Sequence, residues 1–233
     1  MKLLNLKSDI WLSNCVSFPC YQSHKSGTED LEMIRRKENV FITYKLEEGL
    51  DNMHDNLSNF GFKKINTQVT YIWTPNIQKG NQSLNDELEI KIINAEIYKK
   101  ELEKFSNFFV LDRFNIDKRL PNSWSKKIKY NWLLSKEPGT YLLAAKMNEK
   151  MAGLILFKMN DAQVVIDLIA VDPQFRGKMV ASSLINYLKK KFDHKIPILV
   201  GSQDNNILAS NLYLSSGFNE ISRHNVYHLF NKS

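Results

Sequence analysis

The chain has 233 residues, 43% of them hydrophobic, and carries 32 Lys and Arg against 25 Asp and Glu, a formal charge of +7. That length and apolar content build a real core in one large domain or two small ones, which excludes a disulfide-stapled miniprotein. The charge is spread along the chain rather than gathered in a tail, so it favours anionic ligands weakly; without a basic helix or an aromatic-basic strand pattern, nucleic acid is not an expected partner.

Cys15 and Cys20 have no second pair to complete a zinc site, and they read as small buried hydrophobes. The five histidines lack metal-ligand spacing, so no metal is expected. No apolar run makes a secretory h-region or approaches the roughly 20 residues of a membrane span. The expected compartment is a reducing cytoplasm, with no membrane partner.

In chain order, Val40-Phe41-Ile42-Thr43-Tyr44 reads as a strand, Leu46 to Asn59 as a helix closed by Gly61, and Thr67 to Trp73 as a second strand. The same succession recurs near the C-terminus: Ile196-Pro197-Ile198-Leu199-Val200, a helix, Gly217-Phe218, then a strand to Phe230. In both units the glycine follows the first strand by 17 positions (61 − 44 and 217 − 200) and is itself followed by Phe. The first unit therefore reads as a partial copy of the second, with coincidence as the alternative. Pro75, Gly80 and several Asn, Gln and Ser mark a linker over 76–87, dividing an N-terminal αβ half-domain, 1–75, from a larger domain, 88–233.

A helix is expected from Asn94 to Phe108, then a polar, cationic loop from Leu111 to Pro121, then a helix from about Ser123, its cap, to Leu134. In the loop, Arg113, Lys118 and Arg119 suit a diphosphate, and Phe114 or Trp124 suits a stacked base. A solvated surface cluster accounts for the same cations. Strands follow at Thr140–Lys146, Met151–Met159 and Gln163–Val171, joined by hairpin turns at Asn148-Glu149 and Asn160-Asp161.

Asp167 stands between Ile166 and Leu168, and alternation places it on the face of Ile169 and Val171. A carboxyl there has a raised pKa and can take a proton, or it makes a structural hydrogen bond. The strand then passes through Asp172-Pro173-Gln174-Phe175 and Arg176-Gly177-Lys178 into a helix whose Val180, Ala181, Leu184, Ile185 and Leu188 form one apolar stripe. So short a strand-to-helix loop leaves first-turn N–H groups facing outward, and Arg176 and Lys178 add charge: a diphosphate fits, although an ordinary connection would look the same.

Val171 to Ala181 resembles motif A of the GCN5-related N-acetyltransferases (GNAT), whose pattern is Gln/Arg, two residues, Gly, one residue, Gly/Ala. Arg176 and Ala181 match, while Met179 stands at the central glycine. Asn206-Ile207-Leu208-Ala209-Ser210-Asn211-Leu212-Tyr213, running on to Gly217-Phe218, is similar to the family's later motif, an Asn opening a helix and a Tyr facing the thioester. The resemblance implies an α/β (α+β) fold: a central mixed, mostly antiparallel sheet flanked by helices. It implies acetyl-CoA as acyl donor and no metal. The donor would meet the backbone of Ile169, Ala170 and Val171, the loop and helix start at Arg176, Gly177, Lys178, Met179, Val180 and Ala181, and Asn206. Tyr213 is implied as the acid that protonates the departing thiolate, and Asp167 lies where some members place a catalytic carboxylate.

Arg113-Phe114, Asp117, Pro121 and Tyr130-Asn131-Trp132-Leu133 resemble the acceptor segment of sugar-nucleotide N-acetyltransferases, the group that includes dTDP-fucosamine acetyltransferase. On that resemblance Arg113, Phe114, Asp117 and Tyr130 bind the acceptor. The amine acetylated is that of a dTDP- or UDP-linked 4-amino-4,6-dideoxyhexose destined for a surface glycan such as lipopolysaccharide. Two alternatives stay open: a family member acting on a protein N-terminus or small amine, and a non-catalytic acyl-CoA-binding module. Pairing as a homodimer is also left open.

Overall fold

A computed structural model describes residues 6–23, 38–49, 51–75, 85–192 and 196–232, the side chains of 51–54 excepted. Ten strands form one sheet: β1 (Lys7–Ser8), β2 (Cys20–Ser23), β3 (Val40–Glu47), β4 (Lys63–Trp73), β5 (Glu89–Ile93), β6 (Thr140–Met147), β7 (Lys150–Met159), β8 (Val164–Val171), β9 (Ile198–Gln203) and β10 (Asn219–Asn231), in the order β1-β2-β3-β10-β4-β9-β8-β7-β6-β5. Among the described strands only β2 with β3 and β8 with β9 run parallel. Among the described residues seven α-helices cover it: α1 (Ile10–Val16), α2 (Asp51–Asn59), α3 (Lys99–Ser106), α4 (Arg113–Ile116), α5 (Ser123–Leu133), α6 (Val180–Lys191) and α7 (Ile207–Ser215).

The two faces follow from strand alternation. On β3, Ile42, Tyr44 and Leu46 pack in one core with Leu57 of α2, while Phe41 joins Leu12 and Val16 of α1, Phe114 of α4 and Trp124 of α5 in another. Val180, Leu184 and Leu188 of α6 and Tyr213 of α7 share a core with Val164 and Ile166 of β8. Leu168 and Ala170, further along the same strand, pack with Leu102 and Phe105 of α3 and Leu133 of α5.

The sheet has a local two-fold axis between β4 and β10. Helices α2 and α7 start 156 residues apart (207 − 51), as do β4 and β10 (219 − 63), and β3 and β9 end at the same interval (203 − 47). Pairing obeys the same shift: Asn219↔Ile72 exchanges with Lys63↔His228, and His224↔Glu47 with Gln68↔Gln203. Even the bulges obey it, since Ile221 in β10 and Ile65 in β4 are the extra residues of two register shifts. The repeated strand–helix–strand units thus interdigitate, each contributing one of the two middle strands. Leu57, which occupies the position of Tyr213 in the first unit, is wholly buried; Leu50, at the position of Asn206, lies outside the described residues.

Several expected boundaries shift. Strand β3 runs on to Glu47, so α2 begins at Asp51 rather than Leu46, and β4 begins at Lys63, ahead of Thr67. The expected helix from Asn94 is a 3-10 turn, Ala95–Tyr98, followed by α3. The cationic loop contains α4, capped by Asp112, whose carboxylate accepts from the Phe114 amide at 2.9 Å. Ser123 is the first residue of α5, and Asn122 stands at its cap without a side-chain bond. The expected linker, 76–87, lies outside the described residues over 76–84, and the strands before and after it share one sheet in which β3 and β4 flank β10.

Candidate active site

Strands β8 and β9 pair only through Val164↔Ile198, Val165↔Leu199 and Ile166↔Val200; beyond these they separate. Strand β8 continues to Val171 paired to β7 alone, and β9 continues to Gln203 paired to β4 alone. A wedge therefore opens in the sheet, its β8 edge over 167–171 carrying backbone groups without a strand partner on that side. Such an edge can pair with the amides of an extended ligand arm. Ile169, Ala170 and Val171 lie along it.

The apex of the wedge coincides with a β-bulge. Leu156 pairs with Leu168 and Phe157 with Ile166, so Asp167 is the extra residue. The bulge corrects the expected facing: it resets the alternation, and Asp167 turns away from the α6 face toward Trp132 of α5, whose nearby side chain favours its charged form. Lys158 Nζ stands 4.0 Å from Asp167 Oδ2, which otherwise has no hydrogen-bond partner. Burial raises the Asp167 pKa, the Lys158 charge opposes it, and Glu137 adds to the rise.

At the wide end, Asp172 is bonded to the Gln174 amide at 3.0 Å and to Lys104 of α3 at 2.5 Å, which fixes the turn after β8. Gly177 and Met179 both have positive φ, +76° and +57°. Met179 thus holds the left-handed conformation that glycine takes without cost, and the loop shape survives the substitution. Asn85 ties the end of the 76–87 stretch to this loop, its amide donating to Ser183 Oγ and its side chain to the Lys178 carbonyl. Val180, Ala181 and Ser182 present first-turn amides, and the first backbone bond inside α6 runs from Ser183 N to Met179 O. Arg176 and Lys178 flank this anion-receptive end.

Asn206 is the cap of α7, its Oδ1 accepting from the Ala209 amide at 3.3 Å. Tyr213 is 2% exposed, its ring 5.5 Å from Tyr71 and 5.9 Å from Phe218. Burial raises its pKa well above the usual phenol range, so it stays protonated, and no hydrogen bond engages its hydroxyl within the described residues.

The acceptor-side expectations divide. Phe114 is buried in the core, its ring 6.1 Å from Phe41 and 5.9 Å from His228, and Trp124 is buried beside it; neither is free to stack on a base. Asp117 is a structural carboxylate: Arg119 binds it through Nε and a second nitrogen at 2.9 and 2.8 Å, and His228 Nδ1 lies 3.0 Å away. Arg119 is consumed there and by the His228 carbonyl, and exposed Lys118 bonds the Asn115 carbonyl. Tyr130 packs at the edge of the α3–α5 core. Arg113 remains, half-buried, its guanidinium 4.7 Å from the Phe114 ring and without an ion pair among the described residues.

Sequence reasoning missed Trp132 as a neighbour of Asp167, because a bulge cannot be read from alternation. It also missed His228, whose pairing with Asp117 spans 111 residues.

The sequence model of the "Acetyltransferase (GNAT) family" matches residues 102–218, which run from within α3 to just past the end of α7 and take in the whole wedge. The chain belongs to this family. A curated member of similar sequence is the spore coat polysaccharide biosynthesis protein SpsD of Bacillus subtilis (strain 168), 27% identical over 126 residues. The match takes in 52% of this chain and 44% of that relative, so the chain spans less than half its length. Among solved structures, a conserved protein of unknown function from Staphylococcus epidermidis ATCC 12228 superposes with TM-score 0.69 at 12% identity, covering 99% of this chain and 93% of that one. A GCN5-related N-acetyltransferase from Sphaerobacter thermophilus gives 0.60 at 10% identity over 84% and 61% of the two chains. A tandem GNAT protein from the clavulanic acid pathway gives 0.56 at 14% identity over 87% and 67%. At these identities the structural likeness establishes the fold alone. The GNAT fold binds acetyl-CoA, and the wedge with the α6 N-terminus beyond it fits that ligand.

Proposed function

We propose that the protein transfers acetyl from acetyl-CoA to the amine of a nucleoside-diphosphate-linked amino sugar, of the dTDP- or UDP-4-amino-4,6-dideoxyhexose type, in surface-glycan synthesis. The observation that carries the reading is the wedge that opens between β8 and β9 at Asp167, with a carboxylate at its apex and an anion-receptive helix end beyond its mouth. The pantetheine arm pairs with the β8 edge, and its diphosphate meets the amides and cations from Arg176 to Ala181. The guanidinium of Arg113, without an ion pair among the described residues, supports a phosphate-bearing acceptor, and the similarity to SpsD, a spore coat polysaccharide biosynthesis protein, supports a sugar.

The chemistry needs no covalent enzyme intermediate. The acceptor ammonium gives a proton to the Asp167 carboxylate, directly or through water, and the neutral amine attacks the thioester carbon. A β8 backbone N–H holds the oxyanion as the C–N bond forms. The C–S bond then breaks, the nitrogen sheds its second proton to solvent, and the thiolate takes one from the Tyr213 hydroxyl, which solvent replaces.

The test is release of free CoA thiol from acetyl-CoA with dTDP- and UDP-linked amino sugars, beside free amino sugars, polyamines and short peptides. Turnover confined to nucleotide-linked amines is expected. Turnover with peptides or simple amines moves the acceptor to those classes. Acetyl-CoA binding without turnover on any amine makes the protein a binding module.

A further inference from the structure

We propose that the cleft between α1 and the end of α5 holds the hexose ring of the acceptor, with Trp11 as the surface on which the ring stacks, so that the segment ahead of β3 supplies part of the substrate site. This rests on the reading above and names where the body of the acceptor lies.

An open cleft of about 540 Å³ lies there, within the roughly 300 to 1,000 Å³ of small-ligand sites. One wall comes from α1, where Trp11, Asn14 and Cys15 recur at three- and four-residue spacing and so share a face. Leu12 and Val16 of the same helix are buried in a core with Phe41, Trp124 and Ile128, and Asp9 caps its start through the Leu12 amide at 2.9 Å, so the wall is firmly seated. The opposite wall is Asn131 of α5 with Leu134 at its C-terminal cap, and Lys136 and Glu137 of the turn into β6 extend it.

These groups suit a sugar. Trp11 is 37% exposed despite its large apolar ring, and its indole N–H makes no hydrogen bond among the described residues. Its ring stands 6.1 Å from that of Trp132, which supports it from behind. A flat aromatic surface takes the C–H face of a pyranose, and a 6-deoxy ring offers more apolar surface than a fully hydroxylated one. The side-chain amides of Asn14 and Asn131 supply donors and acceptors for the remaining hydroxyls: Asn131 spends only Nδ2, on the Lys127 carbonyl at 2.9 Å, and Asn14 makes no side-chain bond among the described residues. Lys136 is paired with Glu96 at 2.9 Å, but its side chain is 78% exposed, and so solvated a pair exchanges readily for phosphate.

The cleft approaches the reacting end through its Glu137 wall. Glu137 Oε2 lies 2.5 Å from Lys158 Nζ, which lies 4.0 Å from Asp167 Oδ2. Trp132 joins the two from another side, its ring against Trp11 and its side chain near enough to Asp167 to favour the charged form. A proton-accepting carboxylate beside a cleft walled by an aromatic ring and two amides fits a substrate whose amine is borne directly on a ring. A polyamine would meet Lys136 and a Glu137 already held by Lys158, which suits it poorly.

The test is steady-state acetylation by the full chain and by Trp11→Ala, Trp11→Phe and Asn131→Ala. KM is read separately for acetyl-CoA and for the amine, with dTDP-linked and free 4-amino-4,6-dideoxyhexose as substrates and dTDP as a competitive inhibitor. Trp11→Ala should raise the amino-sugar KM at least tenfold while leaving the acetyl-CoA KM and the dTDP inhibition constant within twofold. Trp11→Phe, which keeps an aromatic face, should recover most of that loss, which a misfolded protein could not mimic. An unchanged amine KM in Trp11→Ala, or a parallel loss for acetyl-CoA, overturns the proposal, and a parallel loss of dTDP inhibition overturns it by giving the cleft to the base. Should Trp11→Ala not fold, an unchanged amine KM in Asn131→Ala, at an exposed position, overturns it as well. If free amino sugars are acetylated with the same dependence on Trp11 and nucleotide-linked ones are not, the nucleotide reading fails and the cleft stands. If nucleotide-linked amines are acetylated with a KM that Trp11→Ala does not move, the cleft fails and that reading stands. Turnover on amines without a ring alone, or on none, removes both.

Discussion

At the scale of single residues, Met179 shows how a motif can lose its signature and keep its shape. The left-handed backbone at φ +57° costs a non-glycine residue roughly 1 kcal/mol, part of which a glycine returns through the entropy of the unfolded chain. Met179→Gly should therefore stabilise the protein by about 0.5 to 1 kcal/mol and leave or improve acetyl-CoA affinity, read by thermal unfolding and calorimetry. A collapse in affinity would mean that the Met side chain itself contacts the coenzyme. Tyr213 and Asp167 are separable by kinetics. With its phenol buried and protonated, Tyr213→Phe should lower kcat while sparing the acetyl-CoA dissociation constant. Because burial raises the Asp167 pKa, activity should decline on the acid side as the carboxylate is lost, and Asp167→Asn should abolish that limb of the kcat/KM profile along with most of the rate. A retained acid limb in Asp167→Asn would assign the base elsewhere.

At the scale of elements, the site depends on how tightly helices seat on strands. Gly153 of β7 faces Val171, and a Cβ there would stand 2.7 Å from Val180 Cγ1 and 3.1 Å from the Ala170 carbonyl oxygen. Gly153→Ala should push the first turn of α6 outward and weaken acetyl-CoA binding more than it lowers the melting temperature. A second joint holds the loop after α4 to β10. His228 is kept neutral there, its pKa lowered to about 4 by burial despite the Asp117 hydrogen bond, with Arg113 and Arg119 also opposing its charge. A histidine depressed from 6.5 to about 4 contributes fully above its unfolded pKa. As pH falls from 6.5 toward 4 the protein should thus lose on the order of 3 kcal/mol, and His228→Gln should flatten that slope in denaturant titrations. These joints explain what the sequence made legible. The wedge strand, the helix after it and the Asn206-to-Tyr213 spacing are local patterns, and they appear where periodicity and motif place them. The bulge at Asp167, the Asp117–His228 pair and the burial of Phe114 arise from register and long-range packing, which no local window contains.

At the scale of the whole molecule, the two-fold axis decides what can fold alone. A reading of the chain as a half-domain at 1–75 and a catalytic domain at 88–233 invites the expectation that the second part stands by itself. The sheet argues otherwise. Strand β10 has β3 on one side and β4 on the other, and the second edge of β9 is covered by β4. Removing 1–75 would strip β10 of both neighbours and uncover Val226 and Tyr227, which are 1% and 0% exposed. It would also leave two long unpaired strand edges, which template aggregation. The segment 88–233 expressed alone should lack a cooperative thermal transition and fail to bind acetyl-CoA, whereas co-expression with 1–87 should recover both. Cooperative unfolding and coenzyme binding by 88–233 alone would show that the wedge needs only its own half of the sheet. Failure to fold, rescued by the missing half, would show why the first copy persists without its polar pair: it supplies the strands against which the active copy closes.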